Sequence, residues 1–149
     1  MTRSVLRIFL TICLIAATAF AGWSWFRPYA WSPDPAARCK IVETLVTRDQ
    51  SFFWVNVHLK VIPGMTHDLQ KPVVLETAAG KKLEPADTIF ATDEDRRSNE
   101  IWFKFWLESP DLTGDLVLHL NDGKLQVKSG NGVPPLESSA SRNYTSNRW

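Results

Sequence analysis

The side chains best suited to bind a metal ion are the three histidines and the sulfur and carboxylate groups near one of them. Imidazole with a thioether suits copper, and imidazole with a carboxylate suits zinc. The residues that would have to converge are His58, Met65, His67, Asp68 and His119. Their spacing matches no metal-binding pattern, and Cys39 is not closely followed by the histidine and methionine of a blue-copper site. We therefore expect neither a metal site nor a cofactor. The alternative is a metal carrier or enzyme that brings the three histidines together.

Groups for acid–base or nucleophilic catalysis are equally sparse. Ser51 and Ser109 lack the flanking glycines of a nucleophile elbow, and the chain has no phosphate-binding glycine loop. The acidic run at residues 93–95 is followed directly by two arginines, which is typical of a solvated loop. We expect no catalytic residue and a protein that is not an enzyme.

Aromatic side chains give the strongest functional signal. In Ser51 to Ile62 and in Glu100 to Leu107, apolar residues alternate at a period of two, which predicts strands with one face in a core. A row of aromatic rings on the other face of a sheet can bind a sugar ring or a partner protein. The predicted binding residues on that outward face are Trp54, His58, Trp102 and Trp106, flanked by Lys60 and Lys104, with His67 in a separate polar loop as a further candidate.

The outward face has an alternative role. The proline-rich segment with Trp31, or the C-terminal end with Tyr144 and Trp149, would cover the aromatic rings and make them structural. Soluble domains rarely leave a large apolar patch bare without a use for it. At the level of the sequence both roles stay open.

Short β-rich runs separated by turn residues position these side chains. Further strands are expected at Cys39 to Thr47, Val73 to Thr77, Thr88 to Ala91, Leu116 to Leu120 and Lys124 to Lys128, with Lys82 to Glu84 as a short edge segment. Asp49-Gln50 and Asn121-Asp122-Gly123 are typical of hairpin connections. No long stretch after the apolar N-terminal segment shows the 3.6-residue period of a helix. We therefore predict an all-β fold, an antiparallel two-sheet sandwich of about seven strands. In strand number and spacing it resembles an immunoglobulin-like domain.

The N-terminal segment indicates where the protein resides. The run from Ile8 to Phe26 carries no charge and has nearly the ~20 residues that a membrane-spanning helix needs. Its far end is rich in tryptophan, as at a membrane interface. We predict a signal-anchor or transmembrane helix within residues 1–27; the alternative is a signal peptide cleaved near Ala21, which leaves a secreted or periplasmic domain. Arg3 and Arg7 favour a cytoplasmic N-terminus, so either alternative places the domain outside the cytoplasm.

The rest of the chain divides into three parts. Prolines in residues 28–37 predict an extended linker, residues 38–130 contain the β-sandwich, and residues 131–149 form a polar tail that is mobile unless its aromatic end docks. The 17 basic and 16 acidic residues nearly cancel and are scattered, so we expect no nucleic-acid partner.

Together these features predict a membrane-anchored, extracytoplasmic module that acts by binding rather than by catalysis. It contacts the membrane through its N-terminal helix, and its partner is a protein or a carbohydrate. The alternative is a structural subunit of an envelope complex, in which the helix itself forms part of the interface.

Overall fold

An apolar helix begins the described part of the chain. The structure is a computed structural model and describes residues 3–149. Helix α1, Arg3–Trp25, contains no buried residue and is the one helix within residues 3–149 that is long and apolar enough to cross a membrane. At 1.5 Å per residue it is about 34 Å long, which matches the ~30 Å hydrocarbon core of a bilayer. By length and composition it is fit to be a signal anchor or a membrane span.

Nine strands follow the helix in two antiparallel sheets, where about seven were expected. They are β1 (Cys39–Asp49), β2 (Phe52–Val61), β3 (Val74–Thr77), β4 (Lys82–Leu83), β5 (Asp87–Thr92), β6 (Ser98–Glu108), β7 (Leu116–Leu120), β8 (Gly123–Lys128) and β9 (Ser141–Tyr144). The first sheet has the order β5-β6-β2-β1-β9, and the second has the order β4-β3-β7-β8. The prediction of a mostly β fold in antiparallel sheets after one apolar helix is confirmed.

One hydrophobic core joins the two sheets. The period-two pattern of β2 and β6 places alternate residues inward, as predicted, and full burial of each such side chain stabilises the fold by about 1.5 to 3 kcal/mol. Their buried residues are Phe53, Val55, Val57, Leu59, Val61, Ile101, Phe103, Phe105 and Leu107. The second sheet contributes Leu75, Leu116, Leu118, Leu120, Leu125 and Val127. Because both sets belong to one cluster, the outer face of each sheet points away from the core.

Two-residue turns set the register of both predicted hairpins. Asp49 pairs with Phe52 across the β1–β2 turn, in which Gln50 has a φ of 55°. Leu120 pairs with Gly123 across the β7–β8 turn, in which Asn121 has a φ of 53°. Asparagine tolerates this left-handed conformation better than most residues. The Asn121 side chain also donates to the Ala37 carbonyl oxygen at 2.6 Å, so the turn is fixed to the segment before β1.

Residues 28–37, predicted to be an extended linker, are folded against the domain. Tyr29–Trp31 and Pro35–Ala37 are short 3-10 helices, and Tyr29 and Ala37 are buried. The Asp34 side chain accepts a hydrogen bond from the Ala36 backbone and caps the second of them. A side chain at Gly123 would overlap the Ala37 backbone, so the segment packs directly on the β7–β8 turn.

The C-terminal end also docks. Strand β9 pairs antiparallel with β1, with Tyr144 opposite Thr44. Trp149 stacks on Tyr144, with ring centroids 4.7 Å apart. Its Nε1 donates to the Tyr29 hydroxyl oxygen at 2.8 Å and to the Val127 carbonyl at 3.1 Å. The tail therefore closes against β8 and the segment that follows α1.

Candidate functional site

The outer surface of β2 and β6 carries most of the predicted binding residues. We call this surface the aromatic face and define it by Phe52, Trp54, Asn56, His58, Trp102, Lys104 and Trp106. In the antiparallel register Trp54 lies opposite Trp106, and His58 lies opposite Trp102. Side chains directly opposite each other on one face of an antiparallel pair are in contact range. The structure thus brings together four of the five predicted binding residues.

One half of the aromatic face is a cluster around Trp106. The ring centroid of Trp106 lies 4.3 Å from that of Phe52 and 6.3 Å from that of Trp54. The Lys104 ammonium lies over the Trp54 ring at 4.4 Å, which is a cation–π contact. Trp54 Nε1 points to the Asp49 carboxylate at 3.4 Å. These contacts restrict the orientations that the rings of Trp54 and Trp106 can take.

The other half is centred on His58. Its ring is stacked on Trp102, with centroids 4.4 Å apart and planes 11° apart. The Glu43 carboxylate lies 3.5 Å from Nδ1, and the Glu100 carboxylate lies 3.4 Å from Nε2. The second oxygen of Glu43 accepts a hydrogen bond from Asn143 at 2.6 Å. The His58 side chain is 15% exposed, and both its nitrogens lack a partner in hydrogen-bond geometry within residues 3–149. The histidine is therefore a partly buried, polar part of the face.

A bulge in β1 brings Glu43 to this site. Ile41 pairs with Leu59, and after the irregularity Glu43 pairs with His58, so Val42 has no partner of its own. The extra residue in a bulge shifts the facing of all the residues that follow it. Without it, the pairing would place Val42 rather than Glu43 opposite His58.

Neither the tail nor the segment after α1 covers the aromatic face. Tyr144 pairs with Thr44, a buried residue, so the aromatic end of the tail lies on the core side of the first sheet. Trp31 contacts Trp23 of the helix, with centroids 4.4 Å apart. At the face itself Trp106 is 47% exposed, and Ile89 of the neighbouring β5 is 55% exposed. The face is open in this structure.

The fifth predicted residue, His67, lies elsewhere. Its Nδ1 is 3.1 Å from the Asn121 side-chain oxygen, and its ring packs near Phe90 and Phe103. Burial lowers the pKa of His67, which the hydrogen bond to Asn121 opposes in part. An open, mainly apolar cavity of about 480 Å³ adjoins it, bordered by Leu69 and Phe90. His67 is thus part of a different surface, between the loop before β3 and the edge strand β5.

The histidines do not converge. His58 is on the outer face of the first sheet, whereas His119 is on the outer face of the second sheet, where its Nε2 lies 2.6 Å from the Glu76 carboxylate. Within residues 3–149 no group of three or more histidine, cysteine, aspartate or glutamate residues is arranged to hold a metal ion. Burial raises the pKa of Cys39 to about 11, so this thiol stays protonated at neutral pH.

Sequence reasoning did not single out Phe52 of the aromatic face, nor Ile89 and Glu43 beside it. Phe52 and Ile89 were overlooked because they lie at the start of β2 and on a short edge strand. Glu43 was missed because the bulge that turns it outward leaves no mark in the alternation. The alternation itself points to Phe52, because it lies two residues before Trp54 and therefore on the same face of β2.

No model of a protein family, no curated protein sequence and no solved structure matches this chain.

Proposed function

We propose that this protein is a membrane-anchored, extracytoplasmic module that binds a partner protein through its aromatic face and has no catalytic role. The observation that carries the proposal is the open cluster around Trp106, together with the stacked pair His58 and Trp102. Tryptophans near the centre of a surface, held by their neighbours, are typical of residues that dominate the binding energy of an interface.

The anchor part of the proposal is supported by α1. None of its residues is buried against the domain, so its apolar surface has no cover within the described chain. The tryptophans at its end suit the headgroup region, and Arg3 and Arg7 at its start favour the cytoplasm. On this basis the β domain lies outside the cytoplasm. Cleavage near Ala21, which would release it, remains the alternative.

An immunoglobulin-like architecture is part of the proposal. The orders β5-β6-β2-β1 and β4-β3-β7-β8 correspond to strands D-E-B-A and C′-C-F-G of such domains. Strand β9 then adds to the A strand. Many domains of this architecture display binding surfaces, but the architecture by itself assigns no partner.

The chemistry of the face favours a protein over a carbohydrate. A sugar ring stacks on an open aromatic plane, whereas Lys104 already lies over Trp54 and His58 already covers one side of Trp102. Carboxylates lie within 3.5 Å of the ring nitrogens of His58 and Trp54. A protein surface that presents apolar groups with lysine or arginine among them complements this arrangement.

A photo-crosslinking experiment in native membranes tests the proposal. The photoreactive residue p-benzoylphenylalanine replaces Ile89, beside the face, or Val117, on the outer face of the second sheet. We expect a protein adduct of defined mass from position 89, absent from position 117 and lost when Trp102→Ala and Trp106→Ala are added. The matched control pair Val74→Ala and Val117→Ala removes apolar area from the second sheet and should leave the adduct at position 89 unchanged.

Binding of the identified partner completes the test. The purified partner should bind the Trp102→Ala, Trp106→Ala variant at least about tenfold more weakly than the unchanged chain, a loss of about 1.4 kcal/mol. An unchanged affinity would remove the aromatic face as the binding site. Co-purification in detergent that survives both substitutions, but not replacement of α1, would favour the structural subunit of an envelope complex.

A further inference from the structure

A cavity of about 380 Å³ lies where the domain meets the end of α1. It is formed by the segment after the helix, by β8 and by the C-terminal end. The side chains with hydrogen-bonding or charged groups that line it include Arg27, Ser32, Lys124, Gln126, Asn147 and Arg148. The volume falls within the range of small-molecule sites.

The charge of the lining is entirely positive. Arg27, Lys124 and Arg148 line the cavity, and no aspartate or glutamate does. Within residues 3–149 none of these three cations forms an ion pair. The nearby Asp34 carboxylate accepts hydrogen bonds from the backbone of Ala36 and Lys124. Three unneutralised cations around one cavity favour an anion.

The walls of the cavity are joined by hydrogen bonds. Pro28 and Ser146 form an isolated antiparallel bridge, and the Tyr29 backbone donates to the Thr145 carbonyl at 3.3 Å. The Ser129 backbone donates to the Asn147 carbonyl at 2.6 Å. A site with preformed walls loses less free energy to ordering when a ligand binds.

The cavity lies at the depth of lipid headgroups if α1 spans the membrane. Arg27 is separated from the last helical residue, Trp25, by Phe26 alone, and Pro28 is already tied to the domain. The ring of Trp23 in α1 contacts the ring of Trp31 in the segment after it, with centroids 4.4 Å apart. Tryptophans at the end of a membrane-spanning helix are enriched at the membrane–water interface.

We propose that this cavity binds the phosphate of an anionic phospholipid headgroup. The guanidinium groups of Arg27 and Arg148 donate to phosphate oxygens, and the Lys124 ammonium adds a third charge. The proposal rests on the membrane part of the proposed function, but not on the aromatic face.

Lipid titration of the purified full-length chain in dodecyl maltoside tests this inference. The probes are dioctanoyl phosphatidylglycerol, dioctanoyl phosphatidylcholine and inorganic phosphate, with binding followed by calorimetry and native mass spectrometry. We expect saturable binding of one phosphatidylglycerol, at least about tenfold tighter than of phosphatidylcholine or phosphate. The variant Lys124→Gln, Arg148→Gln should lose this preference. The control Lys60→Gln, Arg96→Gln removes equal charge away from the cavity and should keep it.

Each other outcome overturns the proposal in a distinct way. Equal affinity for phosphatidylcholine, or an unaffected Lys124→Gln, Arg148→Gln variant with an unchanged melting curve, would show that the cavity does not select an anionic lipid. Phosphate binding as tight as that of phosphatidylglycerol would assign the site to a free anion. Failure of the unchanged chain to float with phosphatidylcholine vesicles would remove the membrane placement itself. None of these results bears on the Trp102→Ala, Trp106→Ala test of the aromatic face.

Discussion

Phe103 and Lys104 are neighbours in β6 but face opposite sides of the first sheet. Phe103 is buried in the core, whereas Lys104 lies over Trp54 on the outer face. We expect Phe103→Ala to lower the free energy of unfolding by about 3 to 5 kcal/mol, because it leaves a cavity in the core. Lys104→Ala should cost about 1 kcal/mol or less, the value of a cation–π contact that water still reaches. Denaturant unfolding measures the loss of stability in each variant. Equal losses for Phe103→Ala and Lys104→Ala would contradict the register of β6.

His67 should make stability depend on pH. Its pKa in the folded protein is below the ordinary 6.5, chiefly because of burial. The unfolded chain therefore takes up a proton at a higher pH than the folded chain does. The stability that the neutral, buried His67 contributes is therefore fully present above about pH 6.5. It is lost as the pH falls from there toward the pKa of His67 in the folded protein.

Denaturant unfolding between pH 5 and pH 8 checks this prediction. The unchanged chain should lose stability below about pH 6.5, and His67→Gln should reduce that loss, since glutamine does not titrate. The control His119→Gln should leave the contribution of His67 in place. If the difference between the unchanged chain and His67→Gln were the same at every pH, burial of His67 would not be coupled to its protonation.

At the scale of elements, the segment after α1 and the C-terminal end depend on each other. Their link is the Tyr29 hydroxyl, which donates to the Val127 carbonyl at 2.6 Å and accepts from Trp149. Burial raises the pKa of Tyr29 to about 12, so the hydroxyl keeps its proton at neutral pH. This single group joins three parts of the chain that are distant in sequence.

We expect Tyr29→Phe to destabilise the domain by about 1 to 2 kcal/mol, because it removes two hydrogen bonds at a buried site. The control is Tyr144→Phe, whose hydroxyl has no side-chain hydrogen bond within residues 3–149 and whose loss should cost less. Thermal or denaturant unfolding compares the two. Because both substitutions keep the aromatic ring, a larger loss for Tyr144→Phe than for Tyr29→Phe would show that the Tyr29 hydroxyl is not the main link.

For the whole molecule, the boundary between α1 and the β domain lies before Pro28, which is already bridged to Ser146. The full-length chain should stay in the membrane fraction. Removal of residues 1–27 should give a soluble, folded domain, because Tyr29 and Ala37 are then retained in the core. Removal of residues 1–37 deletes both and should give a chain of clearly lower stability. Circular dichroism melting and membrane fractionation compare the three forms.

Intact-mass measurement separates the two N-terminal alternatives. A mature chain that starts at Gly22 would show cleavage after Ala21 and a released domain.

One outcome of the truncation experiment would contradict the role given to residues 28–37. If the chain lacking residues 1–37 melted at the same temperature as the chain lacking residues 1–27, the segment after α1 would contribute nothing to the core.

The sequence by itself determined the features that follow from local periodicity. Alternation in β2 and β6 indicated which residues enter the core and which face outward, because successive side chains in a strand point to opposite sides. It therefore placed Trp54, His58, Trp102 and Trp106 on one surface, and the uncharged run at the N-terminus indicated α1. Turn residues marked both hairpins.

Only the tertiary structure decided the features that depend on contacts distant in sequence. The bulge that turns Glu43 toward His58 is one, since the alternation of β1 alone does not reveal it. Strand β9 is another, because its residues carry no strand pattern and it is recognised as a strand only by its pairing with β1. The docking of Tyr29 against Val127 and Trp149 likewise leaves the aromatic face uncovered and creates the basic cavity beside α1. Local sequence encodes local geometry, whereas these contacts depend on which surfaces meet when the whole chain folds.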